Sequence, residues 1–358
     1  MKILHIDMGK EWRGGQRQCL LLHEGLLEKG IDSHLLCREG GEFAKRNVQN
    51  SRTAKFRGEI SPTSYRSLKK VINEIKPDIV QSHDASSLTP LVLMRLFGAK
   101  FVLINTRRVD FSVRKNLTSL YKYKNRYVNI VAISEGVKKV LLNDGIDAKQ
   151  IKVIYDGVPE PERPSAETIA KLKEEFGLTG IYPILGTVAN FAPHKDYYTL
   201  LAAYRLYAND YPGSRLLLAG AGPLFEDIKA ECSRLKLDKQ VIFTGFRTDV
   251  TAVADCIDIY VVSSYLEGLN TSIIDAMFLG KPVVGTDTGG IPELVKDGVT
   301  GYLAPPRSPE KLAGQLIRLT GEPDNIRKFG QAGLKHARNF TSGLMVDRYI
   351  KYYKELLK

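Results

Sequence analysis

Residues 263–303 read SSYLEGLNTSIIDAMFLGKPVVGTDTGGIPELVKDGVTGYL, and the order of elements they encode decides the fold. Just before them, Tyr260-Val261-Val262 is a β-branched run that suits a buried strand. Glu267-Gly268-Leu269-Asn270-Thr271 then supplies a turn and a hydroxyl or amide cap, and Ile273, Ile274, Met277 and Phe278 recur at helical spacing. Lys281-Pro282-Val283-Val284-Gly285 predicts a second short strand, and after the loop at 287–290, Pro292 and Glu293 open another helix. A helix start leaves backbone N–H groups unpaired and carries partial positive charge, so the amides of residues 268–271 suit an anionic ligand. Glu267 stands on the loop and Asp275 about one turn into the helix, which sets two carboxylates around that helix start. Acids near helix starts are also ordinary dipole partners, so this pair alone leaves function open.

The same alternation runs outward in both directions. At the N-terminus Ile3-Leu4-His5-Ile6 predicts a strand, followed by a loop holding Gly14 and Gly15 and a helix carrying Cys19, Leu22 and Leu26. The loop is not a GxGxxG fingerprint, but two glycines still let backbone approach a ligand closely. Strands are expected at 34–37, 79–82, 101–105 and 129–133, with helices between, which implies an α/β, doubly wound parallel sheet. Residues 156–164, rich in Pro and Glu, read as a linker. Winding then restarts with strands at 184–188, 215–219, 241–244 and 259–262 and helices at 198–207 and 224–235. Two Rossmann-like domains follow, 1–160 and 165–342, with an amphipathic helix at 345–358 placed to cross back to the first.

Composition narrows the class. The 358 residues are 43% hydrophobic, with no apolar run of the roughly 18 residues a membrane helix needs and no signal-peptide pattern at Met1, so a cytoplasmic globular protein is expected. Cys19, Cys37, Cys232 and Cys256 lack metal or disulfide spacing. The net charge of +12 is uneven: residues 1–165 hold 29 Lys and Arg against 18 Asp and Glu. That asymmetry suggests an anionic partner for the first domain, a membrane surface or an anionic acceptor, although solvated helix faces are also basic. The basic residues form no nucleic-acid recognition motif, so no nucleic acid is expected as a partner.

Ligands in open α/β sheets sit at the C-terminal edges of the strands, and several candidates stand there. Asn190 and Lys195 follow the strand at 184–188, with Lys195 placed to meet a diphosphate. Gly220, Gly222 and Arg247 end the next two strands, as ligand contacts or as plain turns. In the first domain His83 and Asp84 end one strand, and Arg107 and Arg108 end the next, followed by Arg114, Lys115, Lys122 and Lys124. A guanidinium suits bidentate contact with carboxylate or phosphate.

Taken together these stretches resemble the family 4 retaining glycosyltransferases of the GT-B fold, of the lipopolysaccharide or surface-glycan type. The residues that carry the likeness are Gly14-Gly15, the stretches at 132–137 and 153–158, Pro193-His194-Lys195, the stretch at 219–223, and above all SYLEGLNTSIIDAM with PVVGTDTGGIPELV. The resemblance implies two domains facing each other across a crevice. It also implies transfer of a sugar from a nucleoside diphosphate donor to a hydroxyl of a glycan or lipid-linked glycan, with retention at the anomeric carbon. By that resemblance Glu267 contacts the donor sugar, Asp275 the ribose and Lys195 the diphosphate. The donor-binding set becomes Gly14, Gly15, Asn190, Lys195, Gly220, Gly222, Arg247, Glu267, Gly268, Leu269, Asn270, Thr271 and Asp275. Catalysis is expected of Glu267, Lys195 and Asp84, and acceptor binding of His83, Arg107 and Arg108.

Three positions depart from the family pattern: Asp275 where Glu is usual, Asn190 where an Arg is usual, and Arg107, followed by Arg108, where many relatives have His. The chain contains no D-x-D, so no metal and no cofactor are expected beyond the nucleotide sugar itself, and the inner membrane face is a further expected partner. A nucleotide-sugar epimerase of the same fold and a non-catalytic binder of nucleotide sugar or anionic glycan are the competing readings.

Overall fold

In the structure, a computed structural model that describes residues 1–113 and 117–358, the chain divides into two compact units. The first is Met1–Val158 with Thr341–Lys358, and the second is Pro159–Phe340. Arg114 and Lys115 lie outside the described residues. Counted by unit, the charge asymmetry is larger than the linear sequence suggests. The first unit holds 32 Lys and Arg against 18 Asp and Glu, net +14, and the second 20 against 22, net −2.

Seven parallel strands form the sheet of the first unit: β1 Lys2–Asp7, β2 Asp32–Arg38, β3 Ser51–Ala54, β4 Ile79–Ser82, β5 Val102–Arg107, β6 Val128–Ala132 and β7 Ile151–Val153. Their order is β3-β2-β1-β4-β5-β6-β7, so the winding reverses between β1 and β4. β1 is buried along nearly its whole length by Ile3, Leu4 and Ile6, as a strand covered on both faces must be. β3 was not expected: Ser51, Arg52 and Thr53 are exposed, because an edge strand has no apolar face to show in sequence. The last helix, Ser342–Leu356, packs on helix Gly14–Glu28 and buries Met345, Val346, Tyr349 and Tyr353. Tyr353 Oη donates to Gln81 Oε1, and Gln81 Nε2 donates to Thr106 Oγ1 at 2.7 Å, so β4 and β5 are tied to this helix through a buried polar chain. At the return point Gly157 lies so close to Thr341 that a Cβ would stand 2.4 Å from its carbonyl oxygen.

The second unit has a six-stranded parallel sheet: β8 Ile184–Val188, β9 Arg215–Ala219, β10 Val241–Gly245, β11 Ile259–Val261, β12 Val283–Thr286 and β13 Gly301–Ala304. The order β10-β9-β8-β11-β12-β13 places its reversal between β8 and β11. Leu185, Leu201, Tyr204, Leu216, Val261 and Val284 build the core on one face. β13 also escaped the sequence reading. It is short and opens on Gly301, where a Cβ would meet the Val283 carbonyl oxygen at 1.8 Å. Among the described residues, no helix is long and apolar enough to cross a membrane.

Candidate active site

In the second unit the reversal point gathers the residues that the sequence singled out. The loop after β8 ends in the turn Pro193–Lys195, and Asp196, at φ 51°, bends the chain into helix Tyr197–Asp210, which it caps through Thr199. The loop after β11 leads into helix Thr271–Phe278. Lys195 Nζ and Glu267 Oε2 meet at 2.5 Å, with both side chains nearly nine-tenths buried. The same carboxylate oxygen accepts from Ser264 Oγ and Asn270 Nδ2, each at 3.2 Å. The two loops are further pinned by Ser263 Oγ donating to the Lys195 carbonyl at 2.8 Å and by Tyr265 N donating to the His194 carbonyl at 3.0 Å. Behind them Thr286 Oγ1 donates to the Ser264 carbonyl at 2.5 Å, which anchors the Glu267 loop to the end of β12. Glu267 is therefore fixed by a hydroxyl and an amide of its own motif and by an ammonium from the loop after β8.

Asn270 was expected as a cap or donor contact; it stands at the helix start, but its amide is turned to Glu267. Thr271 opens the helix and Asp275, half-buried, is its fifth residue. Gly268 and Leu269 are buried, the Leu269 side chain as part of the core. Asn190 is exposed. Gly220 and Gly222, read as ligand contacts or as plain turns, each lie with one side against the preceding loop, although Gly222 is itself exposed. A Cβ on Gly220 would stand 1.9 Å from the Ala189 carbonyl oxygen, and one on Gly222 2.6 Å from Phe191 N. Phe191 N donates to the Ala221 carbonyl at 3.0 Å, so the glycines let one loop lie on the other and hold the segment that carries Lys195. Arg247 also does different work: it reaches Asp249 and Glu175, the latter at 2.8 Å, and lies over the Phe176 ring.

The first unit gathers a second cluster at its own reversal point. His5, on β1, and His83, at the end of β4, share a hydrogen bond of 2.9 Å between Nδ1 and Nε2. Arg108 Nη1 lies 3.1 Å from His83 Nδ1, and Arg108 Nε donates to Asp156 Oδ2 at 3.1 Å. An arginine can only donate, so His83 Nδ1 accepts, His83 Nε2 carries the proton and His5 Nδ1 accepts in turn. Burial, helped by the Arg108 charge, pushes both histidines well below the ordinary imidazole range, and they are neutral. Burial raises Asp156, which Arg108 opposes. Gly15 lies against this arginine, its Cα facing Arg108 Cδ, whereas Gly14 faces open space.

Asp84, expected to take part in catalysis, is engaged here as a helix cap. It caps helix Ala85–Leu96, with Oδ1 accepting from the amides of Ser86 and Ser87 at 2.8 Å and Oδ2 from Met8 N and Ser87 Oγ at 2.9 Å. Lys122 is likewise structural, buried with its ammonium on Glu59, the Ala85 carbonyl and Thr89. Arg107 differs from its neighbour. It is 5% exposed, donates to Tyr123 Oη at 3.3 Å and the Phe111 carbonyl at 2.6 Å, and lies over both rings, with no carboxylate within 4 Å among the described residues. It lines a cavity of about 390 Å³ together with His83, Thr106, Phe111 and Tyr123. His5, Cys19 and His83 bring three possible metal ligands within 4.8 Å. Their lone pairs serve the histidine pair and a guanidinium stands beside them, so this donor set does not fit a divalent cation.

Two family models tile the chain: Glycosyltransferase Family 4 matches residues 12–160 and Glycosyl transferases group 1 matches residues 168–336. The chain is 25% identical over 342 residues to the Escherichia coli UDP-Gal:alpha-D-GlcNAc-diphosphoundecaprenol alpha-1,3-galactosyltransferase, covering 90% of this chain and 88% of that one. The Anabaena HepE structure in complex with UDP and glucose superimposes with a TM-score of 0.87 at 20% identity, over 99% of both chains. The lipopolysaccharide outer core galactosyltransferase WaaB gives 0.77 at 18%, again over 99% of both. With two parallel-sheet Rossmann-like units and both models in register, the chain belongs to the family 4 glycosyltransferases of the GT-B fold.

Proposed function

We propose that this glycosyltransferase moves a sugar from a nucleoside diphosphate donor to a hydroxyl of an anionic, lipid-linked surface glycan, with retention and without a metal ion. The observation that carries the donor half is the Lys195–Glu267 pair at the reversal point of the second sheet. In the reaction the bond from the anomeric carbon to the diphosphate breaks, a bond to the acceptor oxygen forms on the same face, and the proton of the acceptor hydroxyl leaves on the departing diphosphate. The departing diphosphate gains charge, which Lys195 and the amides opening helix Thr271–Phe278 stabilise, while Glu267 stands at the sugar and Asp275 at the ribose. An ammonium and helix amides do here what a divalent ion does elsewhere.

The acceptor half rests on Arg107. A buried cation without a carboxylate partner is costly, and an anion entering the adjoining cavity relieves that cost. The aromatic and aliphatic lining around the cation suits a ligand with an apolar part beside its charge. The Escherichia coli relative is named for a diphosphoundecaprenol-linked acceptor, the same combination of diphosphate and apolar chain.

The test is a panel of nucleotide sugars, uridine diphosphate sugars first, incubated with and without a polyprenyl diphosphate-linked sugar, with the product's anomeric configuration read by NMR. A new linkage of unchanged configuration, formed in the presence of chelator, is expected. Inverted product or restoration of activity only by divalent ions would overturn the mechanism. Conversion of the nucleotide sugar to an epimer with no acceptor present would overturn transfer itself. Arg107→Ala, assayed with each substrate varied separately, should impair acceptor saturation selectively; a selective loss on the donor side would move the anion to the donor, as in a uronic acid.

A further inference from the structure

Helices Pro62–Ile75 and Ala85–Leu96 of the first unit enclose a groove of about 350 Å³ that takes no part in the chemistry above. Its walls are Ile60, Pro62, Tyr65, Leu93 and Phe97, and the apolar side chains stand outward. Ile60 is 88% exposed and Phe97 78%, with Leu93 and Leu96 beside them. Such residues grouped on one face mark a surface that something covers.

The charge around the groove says what that is. Arg57, Arg66, Lys69, Lys70 and Lys100 are exposed, and among the described residues none has a carboxylate within 4 Å. The acids of the same region are engaged elsewhere: Glu59 with Lys122 at 2.7 Å, Glu74 with Arg52 at 2.7 Å, and Asp84 as a helix cap. Arg66 and Lys70 lie one turn apart on helix Pro62–Ile75, so their charges share one face, and Arg66 also lines the groove. The result is an apolar ridge rimmed by unneutralised bases, on the unit whose net charge is +14 while the other's is −2.

We infer that this face docks on an anionic lipid bilayer, with Ile60, Leu93, Leu96 and Phe97 entering the headgroup boundary and Arg66, Lys69 and Lys70 meeting lipid phosphates. The assignment deepens the lipid-linked acceptor proposed above: a lipid-anchored substrate is met at the membrane, and this face brings the first unit there. A groove-binding peptide or a second copy of the chain would not need a field of one sign around the apolar centre, whereas a bilayer bearing anionic headgroups does.

The experiment is co-sedimentation of the full chain with vesicles of phosphatidylglycerol in phosphatidylcholine and with phosphatidylcholine alone, at about 0.1 M and about 0.5 M salt. Wild type should sediment with the anionic vesicles and lose most of that binding at high salt. Ile60→Ser with Phe97→Ser, and separately Arg66→Glu with Lys70→Glu, should each weaken partition at least about tenfold. Each variant should keep the wild-type circular dichroism and melting temperature, which shows that the first unit folds, and its stabilisation by uridine diphosphate, which shows that the second does. Absence of vesicle binding by the wild type, or equal binding by both variants, would overturn the inference. Self-association in solution that the same substitutions abolish would overturn it too, giving the face to a second copy. Vesicle binding without any response to nucleoside diphosphates would instead strike the donor reading and leave this one standing.

Discussion

Lys195 Nζ lies 2.5 Å from Glu267 Oε2, so the cation meant for a diphosphate and the carboxylate meant for a sugar neutralise each other across the reversal point of the second sheet. A donor must part them. The pair keeps each charge compensated in a site that is nearly closed to water, and it keeps both side chains in the places where substrate groups later stand.

Glu267→Gln should therefore have two effects of opposite sign. Transfer should fall at least about a hundredfold, in the range for loss of one preorganised electrostatic contact. Nucleoside diphosphate binding should hold or tighten, because Lys195 is released from its partner. Steady-state kinetics beside calorimetry reads both, and wild-type turnover in this variant would remove Glu267 from the mechanism.

For Lys195→Ala the expectation is a loss confined to phosphate. Charge-assisted hydrogen bonds are worth about 1.5–3 kcal/mol, so nucleoside diphosphate affinity should drop roughly tenfold or more while nucleoside affinity changes little. Equal losses for the two ligands would show that Lys195 does not touch phosphate.

The glycines separate structure from ligand approach. Gly220→Ala places a methyl group against Ala189 at a φ of 141°, and the conformation alone costs about 1–3 kcal/mol. Its melting temperature should fall, and the Lys195 loop with it. Gly14→Ala meets nothing within 4 Å at a helix start and should melt at or slightly above the wild-type temperature. A loss of transfer in Gly14→Ala without loss of stability would place ligand at that backbone.

Acid should weaken the first unit in a defined window. His5, His23 and His83 have folded pKa values below the ordinary 6.5, burial being the main cause in each. The unfolded chain then binds more protons below about pH 6.5, and stability falls with pH from there downward, by about 1.4 kcal/mol per pH unit for each histidine held neutral. Asp7 and Asp156, raised by burial, offset part of the loss at lower pH. Thermal melts between about pH 5 and 7.5 should show a shallower slope for His83→Gln; an unchanged slope would mean His83 titrates freely in the folded state.

What could be read in the sequence depended on distance along the chain. The loops bearing Lys195 and Glu267 each follow a β-branched strand, and the alternation of strand and helix places both at strand ends, so their meeting was legible. The Arg108–Asp156 pair joins residues 48 apart through an interior that no periodicity describes, and Arg107 and Arg108 looked alike until their partners separated them. His83 and Asp84 read as a functional pair, one for acceptor binding and one for catalysis, because adjacency in sequence suggests adjacency in role. In the strand-to-helix turn one side chain points into the sheet and the other caps the helix, which divides them. Glycines mislead for the same reason: the sequence shows a missing side chain and not whether a ligand or a neighbouring loop fills the place.

Helix Ser342–Leu356 belongs to the unit of residues 1–158, not to the one it follows along the chain. During translation the first 158 residues emerge without Tyr349 and Tyr353, the side chains that cover β4 and β5 and answer Gln81 and Thr106. Until residues 342–356 leave the ribosome, that sheet carries an uncovered apolar strip and unanswered polar groups, while residues 159–340 have everything needed for their own core. The order of birth and the order of completion are thus reversed: residues 159–340 can finish first, and the nascent first unit waits for residues 342–356 to close it.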